Sequence, residues 1–157
     1  MELLVIRHAA AAPRGQGIED AARPLTAKGL ARWERAVRGL AKLRIELDRV
    51  YHSPWLRAAQ TAEALTPLLR GESVATIRLT EKPGKVLLTE LTGHRVAVVG
   101  HEPWLGELIT WLVLGSPEAG RIELRKGSVA WLDGDPMPGR MVLRALLPPK
   151  LLRRLGA

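Results

Sequence analysis

The chain has 157 residues, of which 46% are hydrophobic and 25% charged, with a formal net charge of +8. This length and composition suit one domain able to bury a proper core, and they exclude a disordered chain. Cysteine is absent, which removes disulfides, thiolate chemistry and Cys-ligated metal centres. No apolar run reaches the ~18 residues of a membrane span, and Leu3 to Ile6 is too short for the apolar region of a signal peptide. The expectation is a single domain over residues 1–157 of a cytoplasmic protein, with no membrane partner.

The charge is unevenly placed. Arg140, Arg144, Lys150, Arg153 and Arg154 fall in the last 18 residues, where there is no acid. The basic balance therefore reads as a solvated C-terminal tail. A nucleic-acid partner is not expected, because neither helix-turn-helix spacing nor a strand of stacking aromatics is present. Asparagine is absent and glutamine occurs only at Gln16 and Gln60. That bias suits a hot habitat and equally a GC-rich genome.

Leu3-Leu4-Val5-Ile6 reads as a buried strand ending at Arg7-His8, with a loop-like stretch through Pro13, Gly15 and Gly17 behind it. Thr26 is a candidate N-cap for a helix carrying Leu30, Trp33, Val37 and Leu40 on one face. Val50-Tyr51-His52 is a short second strand. Ser53-Pro54 then supplies a cap and a first-turn proline for a helix running to about Leu69. The segment from Glu72 to Leu79 is β-rich, Pro83-Gly84 breaks the chain, and a short helix is expected over Lys85–Leu91. Arg95 to Gly100 is the clearest buried strand, and Pro103 opens a helix through Leu105, Leu108, Ile109 and Leu112. Val129–Leu132 and Met141–Leu146 read as strands around the turn Asp133-Gly134-Asp135-Pro136. Alternating strands and helices imply an α/β fold, a three-layer sandwich with a mostly parallel central sheet flanked by helices.

Three strand ends carry the chemistry. His8 follows the first strand, Ser53 to Arg57 follow the second, and His101-Glu102-Pro103 follow the valine-rich one. Ligands of open α/β sheets bind beyond the carboxyl ends of the strands, and helix starts there favour anions. Two arginines, two histidines and two helix starts describe a phosphate site. His52 and His94 match no motif and read as packing and surface residues, while Trp33 and Trp111 read as core. Trp55 and Trp104, at the starts of the motif helices, suit the pocket rim and the core equally well.

Taken together, Leu-Val-Ile-Arg7-His8, Arg23-Pro24-Leu25-Thr26-x-x-Gly29, Ser53-Pro54-x-x-Arg57-Ala58-x-Gln60-Thr61-Ala62 and Val99-Gly100-His101-Glu102-Pro103 resemble the histidine phosphatase superfamily. The short chain and the Arg-Pro-Leu-Thr motif resemble its SixA-type phosphohistidine phosphatases. The likeness covers roughly residues 1–115 and implies a phosphoglycerate mutase-like fold. It also implies that His8 is a nucleophile carrying a phosphohistidine intermediate that water hydrolyses. A neutral imidazole with pKa ~6.5 suits that role. Arg7 and Arg57 would grip phosphoryl oxygens with planar forks, and His101 would donate to one of them. His8 is expected at an exposed strand end. Neither a metal nor another cofactor is expected.

Two positions depart from the family pattern. Ala9 stands where the family has a glycine that allows close backbone approach, and Ala10 where many relatives carry an acid. For the general acid, Glu81 in Leu79-x-Glu81-x-x-Gly84 comes first, because it resembles the acid-bearing segment of the mutase-like branch. Asp20, no dedicated acid, and Glu102 follow. The expected substrate is a phosphorylated one, foremost phosphohistidine in a protein. A small-molecule phosphomonoesterase or mutase, and a non-catalytic phosphate-binding module, are the alternatives.

Overall fold

In the computed structural model, which covers residues 1–157, six strands form one sheet in the order β3-β2-β4-β1-β5-β6. The strands are β1 (Glu2–Arg7), β2 (Leu47–His52), β3 (Leu69–Ala75), β4 (Arg95–Gly100), β5 (Val129–Gly134) and β6 (Met141–Leu147). β3, β2, β4 and β1 run parallel, and β5 and β6 join as antiparallel neighbours at one edge. The helices are α1 (Ala27–Lys42), α2 (Leu56–Glu63), α3 (Lys85–Glu90), α4 (Trp104–Leu114) and α5 (Pro149–Leu155). The sheet is mixed and largely parallel, and the three-layer α/β sandwich is as expected.

Alternation along the strands sorts the core into two halves. Leu4, Ile6, Val50, Ala97 and Val99 face Trp33, Val37 and Leu40 of α1, Ala58 and Ala62 of α2, and Leu152 of α5. Their neighbours Leu3, Val5, Tyr51, Val96 and Val98 face Leu87 and Leu88 of α3 and Leu105, Leu108 and Leu112 of α4. Trp33 is core, as read, and its Nε1–H donates to the Thr61 carbonyl at 2.9 Å. Trp111 is half-buried against the second half of the core.

Local chemistry sets most of the helix limits. The Thr26 hydroxyl accepts from the Gly29 N–H at 2.9 Å, which caps α1 as expected. Gly29 has a second use. A Cβ at this position would collide with the Ala10 carbonyl oxygen, so only glycine lets the first turn of α1 press against the loop behind His8. α2 differs from its reading. It starts at Leu56 rather than at Pro54, because the Ser53 hydroxyl accepts from Trp55 N–H in a tight local turn. It also stops at Glu63, and Thr66–Leu68 form a single 3-10 turn holding Pro67.

The C-terminal end is not a solvated tail. Residues 149–155 form α5, with Leu152 fully buried against α1. The helices approach so closely that side chains at Gly39 and Gly156 would strike the Leu152 and Arg35 carbonyls. Arginines 153 and 154 sit in the last turn, where cations favour the helix dipole. The basic residues thus decorate a packed helix.

Candidate active site

β2, β4 and β1 are adjacent and parallel, so the three motif-bearing strand ends meet at one edge of the sheet. The ladder continues past the strands, with His8 N–H donating to Gly100 O at 3.1 Å and Ser53 N–H to Val99 O at 3.0 Å. Beyond this edge opens a cleft of about 720 Å³, lined among others by Arg7, His8, Asp20, Arg57, His101 and Lys126. Four of the five expected site residues therefore lie together.

His8 is buried at 4% exposure, at the cleft wall rather than at an exposed strand end. Its Nδ1 lies 2.7 Å from the Ala9 carbonyl oxygen. A carbonyl can only accept, so Nδ1 carries the proton and Nε2 keeps its lone pair. Arg57 Nε–H points at that lone pair from 3.3 Å. Burial pushes the His8 pKa down to about 4; the Ala9 bond opposes this, and the Arg57, Arg7 and Lys126 charges add to it. His8 is therefore a neutral imidazole at neutral pH.

Ala9 in place of glycine carries no backbone strain, since Arg44 alone among the non-glycine residues has a positive φ. Its N–H donates to the Thr61 hydroxyl at 3.0 Å, and that hydroxyl donates to Arg57 O at 2.6 Å. The Thr61 of the α2 motif thus ties the loop behind His8 to the helix that carries Arg57.

Arg57 is 2% exposed and fully engaged. Besides the His8 contact, Nη1 donates to Asp20 O at 2.6 Å and Nη2 to Asp20 Oδ2 at 3.2 Å. Its guanidinium sits 4.8 Å from the centre of the Trp55 ring. Arg7 donates through Nη1 to Leu124 O at 2.6 Å, while its buried Nε has no partner. Arg23, buried at 6%, reaches Asp20 Oδ1 and Ala12 O. It was legible only as part of the Arg-Pro-Leu-Thr motif, with no role attached.

His101 is buried behind His8, their ring centres 5.2 Å apart, and Trp55 lies 4.6 Å from it on another side. Its Nε2 is 2.8 Å from Ser53 Oγ, and its buried Nδ1 has no partner. Ser53 Oγ already accepts from Trp55 N–H at 3.1 Å. The buried Ser53 hydroxyl proton is satisfied only by donation to His101 Nε2, which leaves Nδ1–H as an unpaired donor. Burial, then repulsion from His8 once that ring is protonated and from Arg57, pushes the His101 pKa down to about 3. Ser53, read from sequence as a helix cap, sets this tautomer instead.

The three candidate acids differ sharply. Glu81 does not line the cleft: it is half-exposed and pairs with Arg78 at 3.0 Å. The reason is local. Ile77–Thr80 form a 3-10 turn that buries Leu79, and Glu81 leaves it in extended conformation on the outside. Glu102 does line the cleft, but its two oxygens accept from Leu124 N–H at 2.7 Å and Gly106 N–H at 3.1 Å. Asp20 lines it as well, paired with Arg14, Arg23 and Arg57 at 3.0, 2.8 and 3.2 Å. Desolvation acts to raise the Asp20 pKa, but the Arg23 hydrogen bond and the charges of Arg57, Arg23 and Arg14 outweigh it and the net shift is downward. Asp20 is an ionised carboxylate at neutral pH.

Trp55 and Trp104 both line the cleft, while His52 and His94 stay outside it. No three His, Asp or Glu side chains are grouped to hold a metal ion, and no helix is long and apolar enough to cross a membrane.

With strand ends, basic forks and paired imidazoles in this arrangement, the chain belongs to the histidine phosphatase superfamily, whose branch 1 family model matches residues 3–86. It is a hydrolase of the histidine-phosphatase type. An uncharacterized protein of Picosynechococcus is 34% identical over 143 residues, covering 82% of this chain and 87% of its own. The phosphohistidine phosphatase SixA of Escherichia coli is 33% identical over 124 residues, covering 73% and 76%. Among solved structures, the protein histidine phosphatase SixA complexed with tungstate superposes with a TM-score of 0.79 at 25% identity, over 97% of this chain and 99% of that one.

Proposed function

We propose that this protein dephosphorylates phosphohistidine in a protein substrate through phosphorylated His8. The observation that carries the reading is the lack of a carboxyl group at the cleft that is free to give a proton. Glu81 is outside it, Glu102 is held by two backbone N–H groups, and Asp20 is kept ionised by three arginines. An alkoxide leaving group needs a proton donor. An imidazole does not, because the ring of phosphohistidine, protonated on its other nitrogen, departs as neutral imidazole.

In the proposed sequence the His8 Nε2 lone pair attacks phosphorus, and the bond to the leaving nitrogen breaks with its electron pair going to that ring. Arg57 moves its Nε–H from Nε2 to a phosphoryl oxygen, joined by Arg7 and by His101 Nδ1–H. Water then attacks the phosphorus of phospho-His8, the pair returns to Nε2, and the released proton leaves with phosphate or solvent. The Nδ1–H bond to Ala9 O holds the ring in the required tautomer throughout.

The test is a pre-steady-state comparison of substrates. Phosphoimidazole and phosphohistidine protein should phosphorylate the enzyme about 10²–10⁴-fold faster than simple alkyl phosphates, the range a missing general acid accounts for. Glu81→Gln should leave every burst unchanged. Alkyl phosphates reacting as fast as phosphoimidazole would replace this reading with a phosphomonoesterase.

A further inference from the structure

Lys126 lies beyond the family match at residues 3–86 and outside every motif of the sequence, yet it lines the cleft beside His8. Its backbone position is tightly fixed to the nucleophile. Gly127 N–H is shared between Arg7 O at 3.1 Å and His8 O at 3.2 Å, and Arg7 N–H donates to Ser128 O at 3.2 Å. Arg7 Nη1 holds Leu124 O on the other side of Lys126. Gly127 has φ of 75°, a left-handed turn that glycine adopts without strain and that lets the chain leave the cleft just after Lys126.

Five cations line this cleft: Arg7, Arg14, Arg23, Arg57 and Lys126. Every arginine has a hydrogen-bond acceptor within the protein. Lys126 has neither an acceptor nor an ion pair, and it is an exposed residue of the cleft lining. Of the two carboxylates lining the cleft, Glu102 is taken up by backbone N–H groups and Asp20 is already shared by three arginines. Partial desolvation against the cleft wall, and then the charges of Arg7, Arg23, Arg57 and Arg14, lower the Lys126 pKa, so its surroundings repel a cation until an anion arrives. A dianionic phosphoryl group supplies that anion.

We propose that Lys126 is a phosphoryl-binding residue, a flexible point charge that closes on the outer oxygens of the phosphoryl group while the arginine forks hold the inner ones. The division suits the two residue types, since lysine has a long mobile stem and three freely rotating donors. The inference rests on the reading of this cleft as a phosphoryl site.

Orthophosphate is the probe, titrated into the full chain by calorimetry, alongside phosphoimidazole kinetics. Lys126→Ala should weaken orthophosphate binding and raise KM by about tenfold, with a smaller change in kcat, as expected for loss of one charge-assisted contact at an exposed site. Lys126→Arg should recover most of the affinity, and Lys85→Ala, on the exposed face of α3, should change nothing. If Lys126→Ala binds orthophosphate like the unaltered chain while Arg57→Ala does not, Lys126 has no such role and the cleft reading survives. If neither substitution weakens binding, the cleft reading falls as well.

Discussion

The tautomers of two buried imidazoles decide what this cleft can do. His8 presents a lone pair because Ala9 O holds its proton on the far nitrogen, and His101 presents a proton because Ser53 occupies its other nitrogen. Ser53→Ala should therefore lower the rate of His8 phosphorylation by about 10–100-fold, the scale for misdirecting one donor to a developing charge. Ser53→Thr, which keeps the hydroxyl, should be milder; equal losses in both variants would point to packing. The pKa values carry a second expectation. Both histidines titrate lower in the folded chain, near 4 and 3, than their ordinary 6.5. Between those values the unfolded chain binds more protons, so stability should be full above pH 6.5 and fall as pH drops toward about 3. Thermal melts from pH 7 to 4 check this, and replacing His101 by Gln should flatten part of the slope. A stability flat from pH 7 to 4 would contradict the buried, neutral assignment.

At the scale of elements, the sequence motifs turn out to be packing instructions as well as chemistry. Gly29 closes the Arg-Pro-Leu-Thr motif because α1 abuts the loop behind His8, so Gly29→Ala should destabilise the fold by about 1–3 kcal/mol and slow His8 phosphorylation. Denaturant unfolding and burst kinetics on one sample check both. The Thr26 cap and apolar spacing made α1 legible, Pro103 and apolar spacing made α4 so, and the Pro83-Gly84 break marked where α3 begins, because those signals are local. The start of α2 was misread by two residues, since Ser53 turns its hydroxyl toward Trp55 and His101 instead of capping. α5 was not foreseen. Its three leucines stand among Pro149, Lys150, Arg153 and Arg154, and only the close approach of Gly39 and Gly156 shows why it packs. Leu152→Ala should accordingly cost about 2–5 kcal/mol, as a large core truncation does. A loss below ~0.5 kcal/mol, the scale of surface substitutions, would restore the tail reading.

The whole molecule brings residues 8, 57 and 101 together through strand order alone: β2, β4 and β1 are neighbours although far apart in sequence. That convergence was readable, because each motif follows a strand and ligands gather at the carboxyl ends of such sheets. What was not readable was the side-chain traffic across the cleft. Glu81 leaves a 3-10 turn on the outside and pairs with Arg78, Asp20 is shared by three arginines, and Lys126 arrives from a turn without a motif. No pattern in the sequence encodes those pairings, since each depends on where separate loops meet.

The central claim is a phosphate carried on His8. Rapid quenching after mixing with phosphoimidazole in the presence of a chelator, followed by peptide mass spectrometry under alkaline conditions, reads it directly. The expected result is one acid-labile, base-stable phosphate on His8, formed at the rate of the burst, decaying with turnover and absent from His8→Ala. Turnover without a phosphorylated intermediate, a phosphate on another residue, or undiminished hydrolysis by His8→Ala would contradict it.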